Sequence, residues 1–238
     1  MTLSKKKILA ITLARGGSKG VRKKNIKKIA GYPLIYYTII EALKSKLINR
    51  YIVSTDDTII QKISKKYGAE APFLRPKNLS TDKASSVAAL QHCVKWAEKN
   101  DNIQYDYVIE LMCTNPLKNH FDIDSSLNKL ISTKADSVIA VNRILDQHPL
   151  RVKKIVKDRI VNFCLKEKKE SRRQDLKPFA YLRSGSIYAL NRNYLMRKNE
   201  RYGSKNSRPY FLPESRTINI DNRNDFLLAE ILLNNRKK

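Results

Sequence analysis

The sequence predicts an α/β fold, a mostly parallel sheet flanked by helices, on three observations. Short apolar runs of strand length alternate with helical patterns through residue 142. The first run, ILAITLA at 8–14, breaks at once into a glycine-rich basic loop. The chain has 238 residues, of which 42% are hydrophobic, enough for one sizeable core.

Residues 8–14 are apolar but for Thr12, the pattern and length of a buried strand. Residues 33–46, PLIYYTIIEALKSK, read as a helix with Pro33 in its first turn, where a missing N–H costs little. YIVSTD at 51–56 is a strand, and 57–67 is a helix closed by Gly68. Pro72 and Pro76 mark a loop. A helix over 84–99 places Val87, Leu90, Val94 and Ala97 on one face. YVIELM at 107–112 is a strand, 121–132 a helix and DSVIAVN at 136–142 a strand. The alternation describes a Rossmann-like sheet with helices on both faces.

The rhythm then breaks. Residues 148–166 read as two strands turned at Lys157-Asp158. The apolar side of that ribbon needs cover, either from its own domain or, as a dimer arm, from a second copy. SIYALN at 186–191 restores a strand, RTINI at 216–220 is expected to be the last, and 222–235 is a closing helix. There is no internal repeat and no linker, so residues 1–238 read as one domain with an excursion at 146–185.

The net charge is +26, from 48 basic and 22 acidic residues. Such an imbalance suggests nucleic acid or an anionic membrane as partner. The lysines are spread over nearly every element, however, with no basic low-complexity tail, no helix-turn-helix and no aromatic-rich strand motif. Neither partner is expected; most of the charge is solvated surface, concentrated functionally only at 15–24. Cys93, Cys113 and Cys164 have no metal or disulfide spacing, which fits reduced thiols and a cytoplasmic protein. The lysines before ILAITLA imitate a leader, but the apolar stretch is too short and runs straight into Arg15. His92, His120 and His148 follow no metal or triad spacing.

Ligands of open α/β sheets bind at the carboxyl ends of the strands, so the residues that follow strands carry the function. After the first strand come Arg15, Gly16, Gly17, Ser18, Lys19, Gly20, Arg22, Lys23 and Lys24. Glycines let successive N–H groups turn into one hollow, which suits an anion, and the cations add full charge. The expected ligand is a polyphosphate. The loop is neither a P-loop nor a dinucleotide fingerprint. Ser54-Thr55-Asp56-Asp57 follows the second strand, and its acids read as caps of the next helix. Asp82 reads equally as a cap or as part of the site. Beside a strand at 216–220, Asn219 and Asp221 would share a face.

The run ARGGSKGVRKKN, followed by Gly31-Tyr32-Pro33-Leu34, resembles the opening of the cytidylyltransferases that activate acidic sugars, the acylneuraminate, legionaminic, pseudaminic and Kdo enzymes. Arg22 stands where that family has proline. Further segments fall in the family's order. They are Arg75-Pro76 with Leu79 and Asp82, then Leu111 to Lys118, then Arg173-Gln174 with Leu176 and Tyr181, and last Asn219-Ile220-Asp221. Met112, Ser184 and Asn219 stand where the family has Gln, Asn and Asp. The resemblance implies a nucleotide-diphospho-sugar transferase type of fold, a β-ribbon that builds a homodimer, Mg²⁺ as cofactor, and CTP and an acidic sugar as substrates. It implies that Arg15, Ser18, Lys19, Lys24, Asn25 and Arg75 bind the nucleotide. It implies that Thr114, Asn115, Arg173 and Gln174 bind the sugar, that Asp221 and Asn219 hold the metal, and that Arg15, Lys24 and Asp221 are catalytic. The reaction implied is transfer of CMP to the anomeric hydroxyl of a nine-carbon acid with release of pyrophosphate. Transfer to Kdo, or a relative that binds nucleotide without turnover, are the alternatives.

Overall fold

The computed structural model describes residues 6–167 and 172–236. In chain order the strands are β1 (Ile8–Leu13), β2 (Lys28–Ile29), β3 (Tyr32–Pro33), β4 (Arg50–Ser54), β5 (Tyr107–Leu111), β6 (Ser137–Ile144), β7 (Lys153–Val156), β8 (Arg159–Asn162), β9 (Ala180–Asn191) and β10 (Ser207–Phe211). The helices are α1 (Leu34–Lys44), α2 (Thr58–Lys66), α3 (Ser86–Asp101), α4 (His120–Thr133), α5 (Arg192–Lys198) and α6 (Arg223–Asn235). Six strands form one sheet in the order β10-β6-β9-β5-β1-β4. The β1–β4, β1–β5 and β6–β10 pairs are parallel; β9 runs antiparallel to both its neighbours. The mostly parallel sheet expected from the alternation is therefore present, with β9 as its one reversed strand.

Each face of the sheet buries a separate apolar cluster. On one side Ile8, Ala10, Val53, Ile109 and Leu111 pack with Ile35 and Ile39 of α1, Ile60 of α2 and Leu127 of α4. On the other, Leu9, Ile11, Ile52 and Val108 pack with Leu90, Cys93, Val94 and Ala97 of α3. Full burial of each such aliphatic side chain contributes about 1.5–3 kcal/mol. A third cluster joins Val21, Ile29, Leu34, Leu117, Ile218, Ile220 and Phe226. It clamps the loop after β1 to the chain that leads into α6.

Two expectations are corrected at this end of the sheet. Residues 217–220 are not a strand. Their alternation is real, since Ile218 and Ile220 are buried, but they pack under the glycine loop, and the Ile220 N–H donates to the Thr114 carbonyl at 2.9 Å. The last strand is β10, which lies on the sheet edge, where Pro209 removes no ladder bond that a neighbour needs. Asp122 of α4 ties this region down. Its buried carboxylate accepts from the Arg216 guanidinium at 2.7 and 2.8 Å and from the Tyr210 hydroxyl at 2.8 Å.

The ribbon forms as expected. Lys157 and Asp158 turn it with φ of 47° and 60°, the left-handed pair that a two-residue hairpin demands. β7 and β8 form a sheet of their own, with Ile155 and Ile160 facing solvent at 67% and 74% exposure. Among the described residues no helix is long and apolar enough to cross a membrane.

Candidate active site

The loop from β1 is fixed by acids at the end of β4. The Gly16 N–H donates to Asp56 at 3.1 Å, and a Cβ on Gly16 would lie 2.7 Å from the Asp57 carboxylate. Asp57 also caps α2, as expected, accepting from the N–H groups of Ile59 and Ile60, whereas Asp56 is no cap and turns to the Gly16 N–H. Gly20 is held closer still: a Cβ there would sit 1.9 Å from the Asp221 carbonyl oxygen. Only glycine admits the 219–221 segment at that distance.

The cations converge over this contact. Lys24 donates to the Ile220 carbonyl at 2.6 Å and lies 3.4 Å from the Asp221 carboxylate. Arg15 and Lys19 both pair with Asp82, at 2.8 and 2.7 Å. Lys19's hydrogen bond, with help from both cations' charge, holds the Asp82 carboxyl below its usual range. Asp82 is therefore not a helix cap, since Ser85 caps α3. Asn25 is buried and donates to the Arg15 carbonyl at 3.0 Å, which shapes the loop from inside. Arg75 is buried too; it donates to Ser80 at 3.0 Å and lies 3.9 Å from Asp56. Burial pushes its guanidinium down, and Asp56 opposes that.

Two adjoining cavities open here. One, of about 300 Å³, is lined by Ser18, Lys19, Gly20, Lys24 and Asp221. The other, of about 320 Å³, is lined by Arg75, Asp82, Ser85, Ser86, Glu110 and Met112. Leu13, Arg15, Asn25 and Thr114 line both. All six expected nucleotide residues thus lie on one continuous surface.

The expected sugar residues do not all join them. Thr114 does, its hydroxyl donating to the Gly185 carbonyl at 3.0 Å. Asn115 does not: it is fully buried, accepting from the N–H groups of Leu117 and Lys118 and donating to the Arg216 carbonyl. An amide so occupied braces the turn after β5. Arg173 lies in a separate cavity of about 540 Å³ with Arg143, Glu214 and Asp146, and pairs with Asp146 at 3.4 Å. Gln174 is exposed on the same short turn.

Asp221 fits a magnesium ion held through one carboxylate and the phosphates of a substrate, the usual mode for this cation. It is exposed into the phosphate-side cavity, and the described residues contain no cluster of three acidic, histidine or cysteine ligands. Asn219 stands beside it, its amide nitrogen donating to the Asp221 carboxylate.

One functional candidate escaped the sequence motifs. Glu110 of β5 is a buried carboxylate that lines the second cavity and pairs with Arg201 at 2.6 Å. Its only signal in sequence is an acid inside the apolar run YVIELM.

A polyphosphate cradle beside a nucleoside-sized cavity, at the carboxyl ends of β1 and β5, defines a nucleotidyltransferase type of site. Residues 9–212 match the sequence model of the cytidylyltransferase family, and the chain belongs to that family. It is 34% identical to the pseudaminic acid cytidylyltransferase of Campylobacter jejuni (serotype O:23/36), over 95% of this chain and 96% of that one. It is 30% identical to the CMP-N,N'-diacetyllegionaminic acid synthase of Campylobacter jejuni (serotype O:2), over 95% and 94%. The N-acylneuraminate cytidylyltransferase of Escherichia coli is 32% identical over 94% of this chain and 51% of that protein. A solved CMP:2-keto-3-deoxy-manno-octonic acid synthetase complexed with CTP superposes with a TM-score of 0.70 at 19% identity, covering 97% and 99%. That likeness bears on the fold.

Proposed function

We propose that the protein transfers CMP from CTP to the anomeric hydroxyl of a nine-carbon acidic sugar of the pseudaminic, legionaminic or neuraminic type. The observation that carries this reading is the pair of adjoining cavities sharing Leu13, Arg15, Asn25 and Thr114. The triphosphate belongs in the cradle of Ser18, Lys19 and Lys24, and the nucleoside in the cavity beside Arg75. The sugar hydroxyl attacks the α-phosphorus, forming the new O–P bond as the bond to pyrophosphate breaks and the hydroxyl proton is lost. Arg15, Lys19 and Lys24 offset the charge that accumulates on the phosphoryl oxygens. Mg²⁺ held by Asp221 would add a divalent charge to the same task, and Asn219 keeps that carboxylate oriented. Thr114 is the expected sugar-side contact that opens on this surface. The acceptor class is supported by the three relatives described above, which are named for such acids. The protomer is read as half of a cytoplasmic homodimer, on the exposed apolar hairpin and the unpaired cysteines.

The test is pyrophosphate release from CTP and Mg²⁺ with a panel of pseudaminic, legionaminic and N-acetylneuraminic acids and Kdo. Release with one of the nine-carbon acids is expected, and loss of a hundredfold or more, on the order seen for a single transition-state contact, in Lys24→Ala. Release with Kdo alone would reassign the acceptor; no release with any acid would leave a nucleotide-binding protein without turnover.

A further inference from the structure

The face of the sheet toward α3 is apolar along β1, with Leu9 and Ile11, but β5 carries a carboxylate there. Glu110 is flanked in register by Ile11 on β1 and Tyr188 on β9, and is almost wholly buried. One oxygen, Oε2, accepts from Arg201, whose guanidinium also stands 4.6 Å from the centre of the Tyr188 ring. Among the described residues no other hydrogen bond reaches the carboxylate, and the side chain lines the cavity beside Arg75. Burial pushes its carboxyl up, against the pull of Arg201. The carboxylate's remaining acceptor capacity faces that cavity, where a ligand donor can take the place of water.

The position of the cavity says which donor. The phosphates take the adjoining cradle, so the base is the part of the nucleotide left for this one. Arg75, as a donor, and Glu110, as an acceptor, line the same space. Cytosine offers the complementary edge, with acceptors at O2 and N3 and an exocyclic amine that donates. Uracil replaces that amine with a carbonyl, which a carboxylate repels. We propose that Glu110 reads the base of the nucleotide, accepting from the exocyclic amine of cytosine while Arg201 holds its other oxygen in place. The inference rests on CTP being the substrate. A site built around a buried hydrogen-bonding partner rejects the analogue that lacks it more strongly than an apolar pocket can.

The experiment compares kcat/KM for CTP and UTP in the wild type, in Glu110→Gln and in the double variant Glu110→Leu with Arg201→Met. The glutamine should give its carbonyl to Arg201 and turn its N–H toward the base, so preference for CTP should fall at least about tenfold while the acceptor KM holds. The double variant replaces the ion pair with apolar volume, an exchange that folds tolerate, and should lose the preference to a similar extent. Calorimetry on the wild type adds a readout that needs no variant. N4,N4-dimethyl-CTP, whose amine cannot donate, should bind at least about tenfold more weakly than CTP. Unchanged CTP:UTP preference in either folded variant, or equal binding of the dimethyl analogue, overturns the proposal. So does a rise in acceptor KM alone, which would place Glu110 against the sugar. A wild type that neither binds nor consumes CTP would instead sink the functional reading itself.

Discussion

Asp82 pairs with two of the loop's cations at once. A triphosphate bound as proposed would have to displace it from Arg15 and Lys19. Asp82→Asn should therefore tighten the binding of pyrophosphate and CTP a few-fold at low salt, an advantage that fades as salt screens the exposed pairs; calorimetry at two ionic strengths reads it, and weaker binding in the variant would make Asp82 part of the site rather than its competitor. In sequence Asp82 was legible as either a helix cap or part of the site, but not as the partner of Arg15 and Lys19. Its partners lie more than sixty residues away, and local pattern carries no such pairing. Asn115 misled for the opposite reason: its place in a motif suggested a ligand contact, and only burial shows that the turn consumes it. Lys118, in the same motif, is buried with its ammonium donating to Thr38 and to the carbonyls of Met112 and Asn115, at 2.7–2.8 Å. Burial pushes its pKa down from 10.5 to about 8, against the charges of Cys113, Glu41 and Asp122. Between pH 8 and 10.5 the unfolded chain keeps a proton that the folded chain has shed, so this group makes stability rise with pH there, by up to about 1.4 kcal/mol per pH unit. The urea midpoint of the wild type should climb relative to that of Lys118→Met from pH 8 upward; parallel profiles would show that the lysine does not titrate in this window.

At the scale of elements, strands and helices up to β6 follow their apolar periodicity because each is covered on the face the pattern marks. The error at 216–220 has a physical source. Alternating burial tells that every second residue is covered, not what covers it, and here the cover is the glycine loop, not a neighbouring strand. β10 was hidden by Pro209, a residue that argues against any central strand but not against an edge. The hairpin was legible because Lys157-Asp158 interrupts two alternating runs, yet its role is not local. Ile155 and Ile160 face each other across β7 and β8 and are left open to solvent. If the hairpin is the proposed dimer arm, Ile155→Glu with Ile160→Glu should convert a dimer to a monomer in sedimentation velocity without lowering the melting temperature of the protomer. A dimer that persists in the double variant would move the interface elsewhere.

For the whole molecule the governing quantity is its net charge of +26. The proposed substrates, CTP and a sugar acid, are both anions, and a positive surface would raise the rate at which either arrives, even where no single lysine touches it. Such steering acts through the summed field and fades with the Debye length, about 10 Å at 0.1 M salt and about 3 Å at 1 M. Buried groups such as Arg75 and Asn25, proposed to contact the nucleotide, are screened far less. Raising sodium chloride from about 0.05 M to about 0.5 M should therefore lower kcat/KM for CTP severalfold and leave kcat nearly constant. A polyanion such as duplex DNA competes for the same field, but without the cradle's geometry it should bind only nonspecifically and be released by the same salt. If kcat/KM is flat across that range, the charge does not guide substrate. If DNA instead binds tightly in high salt, nucleic acid becomes a genuine partner, because only contacts shaped to the duplex would survive the loss of the field.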